Sequence, residues 1–411
     1  MRDFKGVFPI YRIKHMFGVV GCMFCVAIII CSCAKKQEPV TTPWGTVLGD
    51  TTTASGFSLD DIINNGELIV LTISGPDTYY DYQGHGMGDQ YLLCEKFAKE
   101  IGVSVRIDVC RDTTEMIERL KKGEGDLIAV MLSKKGNDKR GLLFCGTQSA
   151  NGISQWAVAR NSTQLAEALN QWFKPSFLSQ IKREEDFLLS TRSIRRRVYS
   201  PMLNRAQGVI SRYDAIFKQY AAMARVDWRL MAAQCYQESC FDPNARSWAG
   251  AGGLMQIMPS TADLLGLPRN MIFEPEANIA AASRYLLELG MKFRDIPNPE
   301  QRLYFTLACY NGGYFHVRDA MALAKKYGRN PMLWEDVSVF IEQLSLPRFY
   351  QDPVVKYGYM RGYETVDYVR RIKQRYLQYR SVTGGGSSLG IGGGSENLIP
   401  HRSKHKNKYR I

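Results

Sequence analysis

A change of hydrophobic period near residue 205 constrains this chain more than any other feature. Before it, Glu67-Leu68-Ile69-Val70-Leu71-Thr72 is rich in β-formers. Residues 89–101 place Tyr91, Leu92, Cys94, Phe97, Ala98 and Ile101 at helical spacing, and Val103 to Val109 alternates. Thr113 to Lys122 reads as a further helix and Leu127 to Leu132 as a buried strand. Alternation marks half-buried strands and a period of about 3.6 marks amphipathic helices. The order is therefore βαβαβ, which calls for a small α/β layer on a parallel sheet. After the change, helical stripes recur at 206–223, 228–240, 277–293, 300–310 and 366–379, separated by Pro, Gly and Asn. The expected fold class is α+β in two domains, a small α/β lobe followed by a mostly α-helical domain. A chain of 411 residues, 45% apolar, has room for about two such cores.

The ends do not belong to either core. Arg2, Lys5, Arg12 and Lys14 precede an apolar run from Met16 to Ile30, followed by Cys31-Ser32-Cys33. A basic segment, a short apolar run and small residues describe a secretory leader, and the run falls short of the roughly 20 residues a membrane-spanning helix needs. Ile30-Cys31-Ser32-Cys33 resembles a bacterial lipobox, which implies cleavage before Cys33 and its acylation, although Cys31 departs from the usual small residue. The formal charge of +13 shrinks to +5 once residues 1–32 (+3) and 401–411 (+5) are set aside. An exported chain of that charge is not expected to meet nucleic acid, whereas peptidoglycan or anionic headgroups suit a mild positive field. A solvated basic surface explains the same charge equally well.

The expected division is a leader over 1–32, a Thr/Pro/Gly-rich tether over 33–57, an N-terminal domain over 58–175, a charged linker over 176–204, a helical domain over 205–380 and a Gly/Ser-rich, basic tail over 381–411. Arg192, Arg195, Arg196 and Arg197 in the linker read as a solvated face. Cys94, Cys110, Cys145, Cys235, Cys240 and Cys309 are expected as buried free thiols. Cys235 and Cys240, five apart on a helix, are separated by an axial rise of about 7.5 Å, unfavourable for a bridge. No Cys/His spacing suggests a metal, and no cofactor is expected.

The N-terminal segment resembles the first lobe of the type-3 extracellular solute-binding proteins over about residues 60–160. The likeness rests on Gly66-Glu67-Leu68, Phe97-Ala98-Lys99-Glu100-Ile101-Gly102 and Gly125-Asp126-Leu127. Phe144 is soon followed by Trp156 to Phe173, which resembles the family's closing segment, so the second lobe is expected to be missing. Arg140 is only the nearest neighbour of the arginine that the family uses on ligand carboxylates. Solute binding and a scaffold or docking role stand level at this point.

In the helical domain, Asp227 suits an N-cap, and Leu230, Met231, Gln234, Cys235 and Glu238 recur at three- and four-residue spacing. Glu238 thus extends a buried stripe, where burial favours the protonated carboxyl that a general acid needs. Gln237-Glu238-Ser239 is followed by Ser247, then Gly250-Ala251-Gly252-Gly253-Leu254-Met255-Gln256-Ile257-Met258-Pro259, then Ala308-Cys309-Tyr310-Asn311-Gly312-Gly313, then Glu364-Thr365-Val366-Asp367-Tyr368-Val369. These four blocks, in this order over roughly residues 205–380, resemble the lytic transglycosylases with a goose-lysozyme-like (SLT) catalytic domain. Coupling to a solute-binding-like lobe is similar to the membrane-bound members of that family.

The resemblance implies cleavage of peptidoglycan strands by Glu238 alone, acting as acid and then base, with a 1,6-anhydromuramic product. It implies a groove lined by Ser239, Ser247, Gln256, Met258, Tyr310, Asn311 and Tyr368, with the Tyr310 hydroxyl beside the acid. Glu364 is expected either to bind glycan or to support structure. The Gly/Ala run allows close approach of backbone to a sugar, or is simply a tight turn. A lysozyme-type hydrolase would use a second carboxylate, for which Asp242 and Asp263 are nearest; a murein-binding lipoprotein would use none. The implied partners are glycan strands and, through a lipid anchor, a membrane, with the outer membrane as the expected, periplasm-facing place; protein partners are unknown. A fragment beginning near Asn204 is expected to hold the whole catalytic machinery.

Overall fold

The computed structural model describes residues 58–136 and 141–383. The leader, tether, Cys33, Arg140 and the basic tail lie outside the described residues.

Residues 58–188 form the α/β lobe. Its elements are α1 (Leu59–Asn65), β1 (Glu67–Thr72), a hairpin of β2 (Tyr80–Tyr82) and β3 (His85–Met87), α2 (Asp89–Ile101), β4 (Ser104–Val109), α3 (Thr113–Lys121), β5 (Leu127–Ser133), β6 (Leu142–Gln148), β7 (Ser154–Ala159), α4 (Thr163–Trp172) and α5 (Ser176–Leu188). The main sheet runs β4-β1-β5-β7-β6. β4, β1 and β5 are parallel, as expected, but β7 and β6 join antiparallel, because a short turn rather than a helix connects them. Alternate residues separate two cores. Leu68, Val70, Leu127 and Trp156 face Phe97 and Leu169, while Leu71, Ile128 and Ala157 face Met116, Ile117 and Leu120. After β6 the chain turns straight back into β7, with no second lobe between them.

The helical domain holds α6 (Asp214–Ala224), α7 (Trp228–Ser239), α8 (Pro259–Leu264), α9 (Pro275–Lys292), α10 (Pro299–Gly312), α11 (Tyr314–Lys326), α12 (Trp334–Gln343), α13 (Pro347–Tyr350) and α14 (Gly362–Thr383). α6 starts later than its stripe suggests. Asn204 and Val209 close a turn through Gly208, whose φ is 67°, and Asp214 then accepts from the Ile210 and Ser211 amides. α14 packs so closely on α12 that a Cβ at Gly362 would meet the Ile341 carbonyl.

The charged linker is a connecting helix in part and extended in the rest. Part of it is α5, whose Glu185 is buried and accepts from the Tyr80 hydroxyl. The rest is an extended strap in which Arg195 and Arg246 exchange backbone hydrogen bonds of 2.9 Å. The lobes pack into one compact unit, and Tyr80 and Met87 of the hairpin belong to the core of the helical domain rather than to their own sheet.

Candidate functional site

Asp227 caps α7 by accepting from the Arg229 amide at 2.9 Å, and the helix buries Leu230, Met231, Gln234 and Cys235. It ends abruptly because Cys240 (φ 52°) and Phe241 (φ 63°) both take the left-handed conformation, a cost on the order of 1 kcal/mol or more for each non-glycine residue. Several contacts hold that break in place. The Tyr199 amide donates to the Cys240 carbonyl at 3.3 Å. The Asp242 carboxylate accepts from the amides of Arg197 at 2.6 Å and Asn244 at 3.0 Å. Glu238 is thereby fixed in the final turn, facing a cavity of about 390 Å³.

The Tyr368 hydroxyl donates to Glu238 Oε1 at 2.5 Å and accepts from Gln234 Nε2 at 3.1 Å. Arg196, from the strap, closes the end of α7 by donating to the Glu238 carbonyl at 2.9 Å. Burial pushes the Glu238 carboxyl up to about 7, against the opposing pull of the Tyr368 hydroxyl and the Arg196 charge. Such a group holds its proton through the acid side of neutrality and can then give it up, which is what an acid/base residue requires.

Gly252 and Gly253 of the Gly/Ala run serve the loop itself. A Cβ at Gly253 (φ 79°) would lie 2.4 Å from the Ile272 carbonyl, and one at Gly252 would strike Ile272 and Phe273. Asn278, fully buried on α9, holds the loop from behind. It donates to the carbonyls of Gly252 and Ile272 and accepts from the Met255 amide at 2.8 Å. A lone Asn on the apolar face of a helix was the available signal for it. Gln256 lines the cavity, but its amide nitrogen is spent on the carbonyls of Ala245 and Gly253. Ser247 Oγ accepts from the Ala251 amide at 3.0 Å; Ser247 and Met258 also line the cavity.

Tyr310, Asn311 and Tyr368 share the cavity wall with Glu238, with two corrections. Tyr310 donates to the Met255 carbonyl at 2.7 Å, so Tyr368, not Tyr310, orients the acid. Ser239 is fully buried, off the cavity wall, and donates to the Cys235 carbonyl at 3.1 Å, because at four residues from Cys235 it falls on the inner stripe of α7. Asn311 Oδ1 accepts from Thr365. Glu364 lines the cavity with its oxygens engaged by Arg361 and Tyr82, both at 2.8 Å, a supporting role. Asp242 and Asp263 are absent from the wall; Asp263 pairs with Arg269.

Of the residues that sequence reasoning missed, His316 lies in the helical domain and others come from the other lobe. The tip of the β2–β3 hairpin brings Asp81, Tyr82, Gln83 and Gly84 to the cavity, and Ile194 of the strap joins them. Tyr82 stacks on Trp248 with ring centroids 6.3 Å apart, and His85 Nε2 pairs with the Ala249 carbonyl at 2.8 Å. Burial raises the Asp81 carboxyl above the usual range.

Residues 215–333 match the model of the transglycosylase SLT domain, which spans Glu238, the loop behind it and Asn311. The chain is 24% identical to the 70 kDa soluble lytic transglycosylase of Escherichia coli over 42% of its length and 24% of that chain, with a TM-score of 0.29. It is 22% identical to the arginine-bound form of domain 1 from TmArgBP over 29% of its length and 98% of that chain, with a TM-score of 0.25. A relative from Desulfosudis oleivorans, a membrane-bound lytic murein transglycosylase F, is 34% identical over 78% of this chain and 91% of its own. With that extent of likeness across both lobes, the chain belongs to the membrane-bound lytic murein transglycosylase F family.

Proposed function

We propose that this chain is a peptidoglycan lytic transglycosylase of the bacterial cell envelope, cutting the β-1,4 bond between N-acetylmuramic acid and N-acetylglucosamine. The observation that carries this reading is Glu238, whose carboxyl is set by Tyr368 on a groove wall and pushed up to about 7 by burial. Glu238 protonates the bridging oxygen as the bond to C1 breaks. Its carboxylate then takes the proton of the muramyl C6 hydroxyl as that oxygen closes on C1. The nucleophile is already part of the substrate, so no second carboxylate has to hold a water. Ser247, Gln256, Met258, Tyr310, Asn311 and Tyr368 form the glycan-binding wall. The working unit extends beyond residues 205–380, taking in the strap and the hairpin of the α/β lobe.

Products from purified peptidoglycan are expected to carry 1,6-anhydromuramic ends, a water molecule lighter than hydrolysis products and without a reducing terminus. Mass analysis of released muropeptides reads this directly. Reducing-end products would instead mean hydrolysis with a second carboxylate, for which Asp81 is the candidate, since Asp242 and Asp263 lie off the wall and the Glu364 oxygens are engaged by Arg361 and Tyr82. Loss of those products in Asp81→Asn would establish that route.

The chain acts from a membrane surface, with residues 1–32 as leader and Cys33 as the acylated terminus at the outer membrane. More than one acyl chain is needed for firm anchoring. Cys33→Ser is expected to move the protein from the membrane pellet to the soluble fraction of lysed cells; retention in the pellet after a mild salt wash would refute the anchor.

A further inference from the structure

His316 sits in the first turn of α11, on the wall of the cavity that holds Glu238. Its Nδ1 is wholly covered and meets no hydrogen-bond partner. Burial depresses the imidazole to about 4, so the ring is neutral at neutral pH and far too weak a base to activate water there. A neutral imidazole carries one N–H and one bare nitrogen. Buried N–H groups without a partner are rarer in proteins than under-satisfied acceptors. With no acceptor at Nδ1, the proton belongs on Nε2, an assignment made from the hydrogen-bond network. Three other polar groups on this wall are engaged within the protein: Tyr310 with Met255, the Gln256 amide nitrogen with Ala245 and Gly253, and Glu364 with Arg361 and Tyr82. The ring meets Tyr357 edge-on, with centroids 6.4 Å apart.

We propose that His316 is a specificity residue of the groove, whose Nε2–H donates to the acetamido carbonyl of an N-acetylated hexosamine. The proposal rests on the glycan-cleaving reading above. A donor of fixed tautomer selects an acceptor, and the acetamide carbonyl is the strongest neutral acceptor on such a sugar. A de-N-acetylated sugar lacks it.

The test uses the full-length chain carrying Glu238→Gln, so that nothing turns over, with N-acetylchitotetraose and its de-N-acetylated counterpart as probes. Adding His316→Phe is expected to weaken the acetylated probe roughly five- to tenfold, the range of one neutral hydrogen bond, and to leave the de-N-acetylated probe unaffected. His316→Gln, which restores a donor, should recover most of the loss. In the unsubstituted ring, the 15N resonance of Nε2 should shift on saturation with the acetylated probe. An unmoved resonance, equal losses for both probes, or no binding of the acetylated probe overturns the proposal. Cleavage of peptidoglycan by the unsubstituted protein is read separately, so failure of the glycan-cleaving reading is told apart from failure at His316.

Discussion

Glu238→Gln is expected to lower turnover by roughly a thousandfold or more, since one group supplies both the acid and the base and general acid–base catalysis contributes about 10²–10⁴. The amide keeps the shape and an acceptor for the Tyr368 hydroxyl but carries no transferable proton. The same substitution should stabilise the protein above neutral pH. The folded carboxyl is raised to about 7 from its ordinary value of 4.5, so the folded chain holds a proton that the unfolded chain has released. Stability therefore falls as pH rises from about 4.5 through 7, and the cost, on the order of 3 kcal/mol, persists above that. An uncharged isostere escapes it. Urea denaturation should place the variant above the parent at pH 8 and level with it near pH 4. Equal stability at both pH values would mean that Glu238 is not held in its protonated form, and turnover within tenfold of the parent would remove it from the chemistry.

The acid was legible because its determinants are local. An N-cap at Asp227 and apolar residues three and four apart place Glu238 on α7 without any knowledge of what lies opposite. The same periodicity put Ser239 inside, four residues from Cys235, where a neighbour-in-motif argument had put it in the groove. The strands and helices of the α/β lobe were legible for the same local reason. The two three-residue strands of the hairpin were not, because their stability comes from partners such as Glu364, 282 positions away from Tyr82. Nor was the role of Arg196. A run of arginines looks solvated, and only the fold reveals that one of them closes the end of α7. The glycines before Leu254 were ambiguous in sequence, since a glycine demanded by a buried asparagine and one demanded by a sugar look alike.

These long-range contacts reverse the expectation for a fragment beginning near Asn204, which should retain less than about a hundredth of full-length activity on purified peptidoglycan. Such a fragment lacks Arg196 on the Glu238 carbonyl, the Arg197 amide on Asp242, the Tyr199 amide on Cys240 and the Pro201 carbonyl that accepts from Tyr379 at 2.6 Å. Hydrogen bonds to charged groups contribute about 1.5–3 kcal/mol each, set against a total stability of roughly 5–15 kcal/mol, so the end of α7 loses its fixed geometry. The left-handed pair at Cys240 and Phe241 is then free to relax, and Glu238 moves with it. A second fragment, beginning near Leu189, separates the two contributions. It restores the strap, and with it the end of α7, but not the hairpin tip from Asp81 to Gly84 or the stack of Tyr82 on Trp248. Its melting temperature should lie above that of the shorter fragment, while its activity stays below that of the full chain because one wall of the groove is missing. Full activity from the fragment at Asn204 would show that neither strap nor hairpin shapes the site. Full activity from the fragment at Leu189 alone would assign the whole effect to the strap and leave the hairpin as packing.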